Sequence, residues 1–107
     1  MNDDVLLRLA ATIRQRRTAS ADKSYTRQLL DEGSPRCAKK FGEEAVETVI
    51  AALGESDAAL RSEAADVIYH LLVLLESRSV AIADVLAVLE GRMGMSGVEE
   101  KARRKGN

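Results

Sequence analysis

SPRCAKKFGEEAVETVIAALGESDAALRSEAADVIYHLLVLLES, residues 34–77, decides the fold. It divides at Gly54 into two runs of good helix formers without strand-like alternation. Ser34 as N-cap and Pro35 at the first helical position open the first run, which extends to about Leu53. Ala38, Phe41, Ala45, Val46, Val49, Ile50 and Leu53 form its apolar face. Gly42 is a weak point within it, costing up to about 1 kcal/mol relative to Ala, and reads as a packing glycine or a point of close approach. Ser56 or Asp57 caps the second run, which continues to about Ser77. So short a connection makes the two helices antiparallel neighbours.

Each run carries a short acidic cluster: Glu43, Glu44 and Glu47 in the first, Glu63 and Asp66 in the second. Spacings of three and four stack side chains on one helical face. The first cluster ends seven residues before the connection at 54–57 and the second begins six after it, so in a hairpin they lie at matching heights. Carboxylates about 4 Å apart repel by about 4 kcal/mol at an effective dielectric of about 20. A hard, oxygen-ligated cation such as Mg²⁺ removes that penalty. Glutamates on a solvated helix face are the plainer reading of the first cluster alone. Asp66 favours the paired reading: it directly precedes the apolar run Val67 to Leu75, and a partly covered acid wants a partner.

Outside the hairpin, residues 3–17 carry the stripe Val5, Leu6, Leu9, Ala10 and Ile13, with Asp3 and Asp4 at its start and Arg14 to Arg17 at its end. Residues 18–23 read as a polar loop. Ser24-Tyr25-Thr26 leads into a short helix over 25–32, closed by Gly33. Residues 82–93 form a last amphipathic helix before a glycine-loosened, charged tail. The fold class is all-α, a bundle of four to five helices around a central antiparallel hairpin, in one domain spanning 1–107.

A chain of 107 residues leaves much apolar surface poorly covered when alone. Hydrophobic residues are 46% and aromatics only 3%, so few rings fill a core. With the apolar run at 67–75, this points to subunits burying surface against each other. A net charge of −1 gives no global attraction to nucleic acid or membranes, and the longest apolar run is far short of a membrane span. Cys37, the single cysteine, excludes an intrachain disulfide, fits a reducing cytoplasm and reads as a small filler. The N-terminus has no signal-type leader.

Charge is segregated along the chain. Residues 14–40 hold eight bases and three acids, residues 43–66 seven acids and one Arg, and the tail returns to Lys101, Arg103, Arg104 and Lys105. An acidic centre between basic flanks suits a metal-bound polyanion; ordinary solvated faces give the same pattern. His70, one turn beyond Asp66, reads as a general base, a phosphate contact or a satisfied interior histidine. Lys39 and Lys40 could reach phosphate oxygens or pair with Glu43 and Glu44. Tyr69 reads as core or interface.

The spacing Glu44-x-x-Glu47 with Glu63-x-x-Asp66 resembles the metal motif of the all-α nucleoside triphosphate pyrophosphohydrolases, the superfamily that includes MazG and dimeric dUTPases. Ser24-Tyr25-Thr26 with Leu29-Leu30, the segment Lys40 to Glu47, the segment Tyr69 to Leu75 and the tail from Lys101 to Lys105 resemble, more narrowly, the phosphoribosyl-ATP pyrophosphatase family of histidine biosynthesis. The likeness covers most of the chain. Ala81, where relatives often have a Ser N-cap, and the loose Gly91 to Gly97 segment depart from it.

The resemblance implies that Glu44, Glu47, Glu63 and Asp66 bind Mg²⁺, with Glu43 and Glu44 serving catalysis. It implies hydrolysis of phosphoribosyl-ATP to phosphoribosyl-AMP and pyrophosphate. Lys23, Tyr25, Thr26, Lys40, His70, Lys101, Arg104 and Lys105 are then the candidate substrate contacts, and a cytoplasmic homodimer the expected state. Two other readings stay open: a housecleaning nucleoside triphosphate pyrophosphohydrolase, which would not need the Ser24–Thr26 segment or basic tail, and a non-catalytic helical dimerisation module.

Overall fold

A computed structural model describes residues 2–20, 24–93 and 104. Helix α1 (Asn2–Gln15) runs into a 3-10 turn at Arg16–Thr18, and α2 (Tyr25–Glu32), α3 (Ser34–Gly54), α4 (Asp57–Ser77) and α5 (Ile82–Arg92) follow. No strand occurs among the described residues. The all-α expectation holds, with the 34–77 hairpin as its central and most extensively packed pair.

Local chemistry sets the helix ends. Ser24 Oγ accepts from the Arg27 N–H at 3.0 Å and starts α2; Ser56 Oγ accepts from the Ala59 N–H at 3.1 Å and starts α4. Gly33 serves two helices. At φ 90°, a conformation that disfavours any side chain, it donates to Leu30 to end α2. Its carbonyl then accepts from the Cys37 N–H at 3.1 Å to open α3.

This corrects the expectation that Ser34 caps α3. Ser34 already lies inside the helix, and its hydroxyl is 2.9 Å from Ser77 Oγ. Ser77 gives its own hydrogen to the Leu74 carbonyl, so Ser34 is the donor in that pair. The serine ties the open end of the hairpin instead of capping a helix. Ala81 starts α5 without a side-chain cap, as its departure from the family pattern suggests.

Two cross-links fix the hairpin register. Ser34 and Ser77 lie equally far from the turn, and so do Thr48 and Glu63, whose link runs from Thr48 Oγ1 to the Glu63 carbonyl at 3.1 Å. The core gathers at the open end, where Ile13 of α1, Leu29 of α2, Cys37 of α3 and Leu72 and Val73 of α4 meet. Arg17 pins the turn after α1 to Glu76, through both its carboxylate and its carbonyl.

The apolar face expected on α3 is not the face that enters this core. Cys37 and Ala51 are buried, whereas Val46, Val49, Ile50 and Leu53 are 58, 57, 54 and 84% exposed. At 100° per residue this stripe lies on roughly the opposite side of α3 from Cys37, Glu44, Thr48 and Ala51. In the run at 67–75, Leu72 and Val73 are buried, Ile68 is exposed and the other apolar residues are half-buried. Within the hairpin, the most exposed apolar stripe sits on the outer side of α3. Gly42 has nothing within 4 Å of where a Cβ would stand, so no packing within the chain requires it. No helix among the described residues is long and apolar enough to cross a membrane.

A candidate metal centre in the helix hairpin

The register brings the two acidic clusters together midway between turn and core. Glu44, Glu63 and Asp66 each offer a carboxylate oxygen, all within 4.8 Å of one another. Thr48 braces the spot: its hydroxyl lies 2.9 Å from the Glu44 carbonyl and 3.1 Å from the Glu63 carbonyl, so backbone of both helices is held at one height. Glu47 stands outside that trio but touches it. Its charge acts on both Glu44 and Glu63.

Electrostatics mark the group as strained by its own charge. Desolvation, then the charge of Glu47, pushes Glu44 above the ordinary glutamate value. Desolvation, then Glu47, Asp66 and Glu44, does the same to Glu63. Glu63 Oε2 is buried with no hydrogen-bond partner among the described residues. A buried carboxylate oxygen without a donor is costly, and the carboxylates of Glu44 and Asp66 that converge on Glu63 are acceptors like itself. A cation is the partner such a set lacks, and all-oxygen ligation suits Mg²⁺. The residues present fit the metal.

The remaining candidates divide. Glu43 is not brought into the trio; it is exposed and pairs with Lys40 at 3.3 Å. That hydrogen bond, with the nearby Tyr25, raises Lys40 above its ordinary value, and Glu44 adds a smaller push. Lys40 thus lies within electrostatic reach of both Tyr25 and the acidic group. Thr26, expected among the nucleotide contacts, is 5% exposed, and its hydroxyl is spent on Tyr69. It anchors α2 to α4 instead of offering a group to solvent.

His70 is buried. Its Nδ1 is 2.9 Å from the Asp66 carbonyl, which can only accept, so Nδ1 carries the hydrogen. Nε2 then faces the Tyr25 hydroxyl at 3.4 Å. Of the three roles open to it from sequence, the satisfied interior histidine matches this geometry. Arg104 is exposed. Lys23, Lys101 and Lys105 lie outside the described residues. Thr48 is the site residue that sequence reading missed; its one signal was a hydroxyl residue one turn from Glu44, a pattern too common to single out.

Fold and site together define an all-α protein that pools carboxylates from two facing helices at one point. A family model described as phosphoribosyl-ATP pyrophosphohydrolase matches residues 6–93. A phosphoribosyl-ATP pyrophosphatase of Dinoroseobacter shibae is 58% identical over 94% of this chain and 98% of its own length. One of Cereibacter sphaeroides is 57% identical over 94% and 97%. A phosphoribosyl-ATP pyrophosphatase 1 of Bradyrhizobium diazoefficiens is 57% identical over 91% and 92%. The chain belongs to the phosphoribosyl-ATP pyrophosphohydrolase family.

Proposed function

We propose that this chain hydrolyses phosphoribosyl-ATP to phosphoribosyl-AMP and pyrophosphate, the second step of histidine biosynthesis, with Mg²⁺ at the hairpin acids. Family membership supports the substrate. The orphaned Glu63 Oε2 among converging carboxylates supports the metal. Glu44, Glu63 and Asp66 would hold the ion, with Glu47 at the rim completing the set. A divalent cation there supplies charge neutralisation for phosphate oxygens and acidifies water.

The chain's own residues do the rest. Lys40 is the proposed phosphate clamp nearest the acids, with Lys23, Lys101, Arg104 and Lys105 as further basic contacts. A phosphate that draws Lys40 away frees the Glu43 carboxylate, which can then orient or deprotonate the attacking water. Glu44, the other acid the resemblance assigns to catalysis, is the second candidate to accept that proton.

The proposed assembly is a homodimer, supported by the exposed stripe Val46, Val49, Ile50 and Leu53. Gly42 falls on the same side of α3, where its missing side chain would let a second helix approach closely. The proposed location is the cytoplasm, where the lone buried thiol of Cys37 stays reduced. Pyrophosphate release from phosphoribosyl-ATP, set against a panel of nucleoside triphosphates with Mg²⁺, tests the reading. Selective turnover of phosphoribosyl-ATP is expected; turnover of several triphosphates but not of phosphoribosyl-ATP would overturn it in favour of a housecleaning enzyme.

A further inference from the structure

The segment Ser24-Tyr25-Thr26 is clamped on both sides of its middle residue. Ser24 is buried and caps α2. Thr26 is buried and bonded to Tyr69 on α4. Tyr25 between them remains 50% exposed, a large flat side chain left open where its neighbours are fixed. Its hydroxyl is directed to His70 Nε2 at 3.4 Å, and the two rings meet edge to face at a centroid distance of 6.1 Å. His70 cannot easily turn. Nδ1–H is bonded to the Asp66 carbonyl, and Tyr69 packs against the ring at 4.9 Å in a T-shaped contact.

A chain of contacts thus runs from the metal-facing turn of α4, through His70, to one exposed aromatic ring. Lys40 pairs with Glu43, the residue before Glu44, and lies within electrostatic reach of Tyr25 and of Glu44. Tyr25, Lys40 and the acidic group therefore form one continuous rim. A nucleoside triphosphate has the matching order: a flat base, then phosphates for a lysine and a metal. A half-exposed aromatic held by His70 beside the acidic site suits stacking of a base.

We propose that Tyr25 is a purine-stacking platform at the rim of the acidic site, and that His70 is the positioning residue that holds it. The inference rests on the pyrophosphatase reading and adds where the base is placed. His70 touches neither base nor phosphate in this arrangement; it sets the tilt of the ring that does.

Calorimetric binding of α,β-methylene-ATP and of inorganic pyrophosphate, both with Mg²⁺, tests it without turnover. Tyr25→Leu is expected to weaken the ATP analogue about tenfold or more, the scale of one lost base stack, and to leave pyrophosphate within about twofold. Tyr25→Phe keeps the ring but loses its anchor and falls between wild type and Tyr25→Leu. His70→Asn keeps a donor near Nδ1 and loses the Nε2 acceptor, so it reproduces Tyr25→Phe and adds nothing in the double variant. His70→Gln, with an acceptor near Nε2, retains sensitivity to Tyr25→Phe. Should a His70 variant fail to fold, by circular dichroism, the two exposed-site Tyr25 variants still decide the platform.

Equal loss of both ligands, or of neither, in Tyr25→Leu overturns the platform. Additive losses from His70→Asn and Tyr25→Phe overturn the positioning role. Failure of the substrate reading is separate: it shows as absent turnover of phosphoribosyl-ATP while the binding pattern holds.

Discussion

Glu63 carries a carboxylate oxygen that is buried and unbonded among the described residues, with Glu44 and Asp66 converging on it. Its raised pKa, like that of Glu44, means the folded chain without a cation keeps protons that the unfolded chain has released. In the pH window above the ordinary value of 4.5, stability contributed by these groups is therefore lost as pH rises through their folded values, and is fully present below 4.5. Removing one charge should relieve the strain. Glu63→Gln, in chelator, is expected to have a higher urea midpoint than wild type at pH 7, with the gap closing as pH falls toward 4.5. A gap that is constant or widens toward acid would show that the cluster's repulsion does not act on the fold.

At the scale of helices, most boundaries were legible because their signals are local. Ser24, Gly33 and Ser56 each act through a backbone bond to a near neighbour, and each does what its residue type suggests. Ser34 was misread because a hydroxyl can cap its own helix or cross to another, and Ser77 is a tertiary partner that sequence does not reveal. The end of α4 hides a similar detail. Ser79 sits at φ 56°, with its N–H bonded to Glu76 and that of Val80 to Leu75, a position where glycine is usual. Ser79→Gly is expected to stabilise the chain by about 0.5–1 kcal/mol, since it removes a side chain from a left-handed residue. Thermal unfolding would show a rise of several degrees; an unchanged or lowered midpoint would mean the serine makes contacts that offset its strain.

For the whole molecule, periodicity marked the apolar stripe of α3 but not what the stripe meets. Val46, Val49, Ile50 and Leu53 form an ordinary helical face in sequence, and only the structure shows it turned away from α4. The site was more legible than the packing around it. Matching distances from one turn placed both acidic clusters at one height, whereas Thr48 and the inward turn of His70 depend on the hairpin's closeness. If the α3 stripe joins two copies, Ile50→Lys should sediment as a monomer while wild type sediments as a dimer. A dimer unaffected by that lysine would place the interface elsewhere.

The claim joining these scales is that the hairpin acids exist to hold a cation for removal of pyrophosphate. Its most direct test is the rate of pyrophosphate release from phosphoribosyl-ATP as Mg²⁺ is titrated, for wild type and for Glu63→Gln with its helical content verified. The account predicts saturable Mg²⁺ dependence in wild type and a loss of at least about a hundredfold in the variant, the upper range for disturbing a metal's ligand environment. A folded Glu63→Gln with the wild-type rate and the same Mg²⁺ response would contradict it.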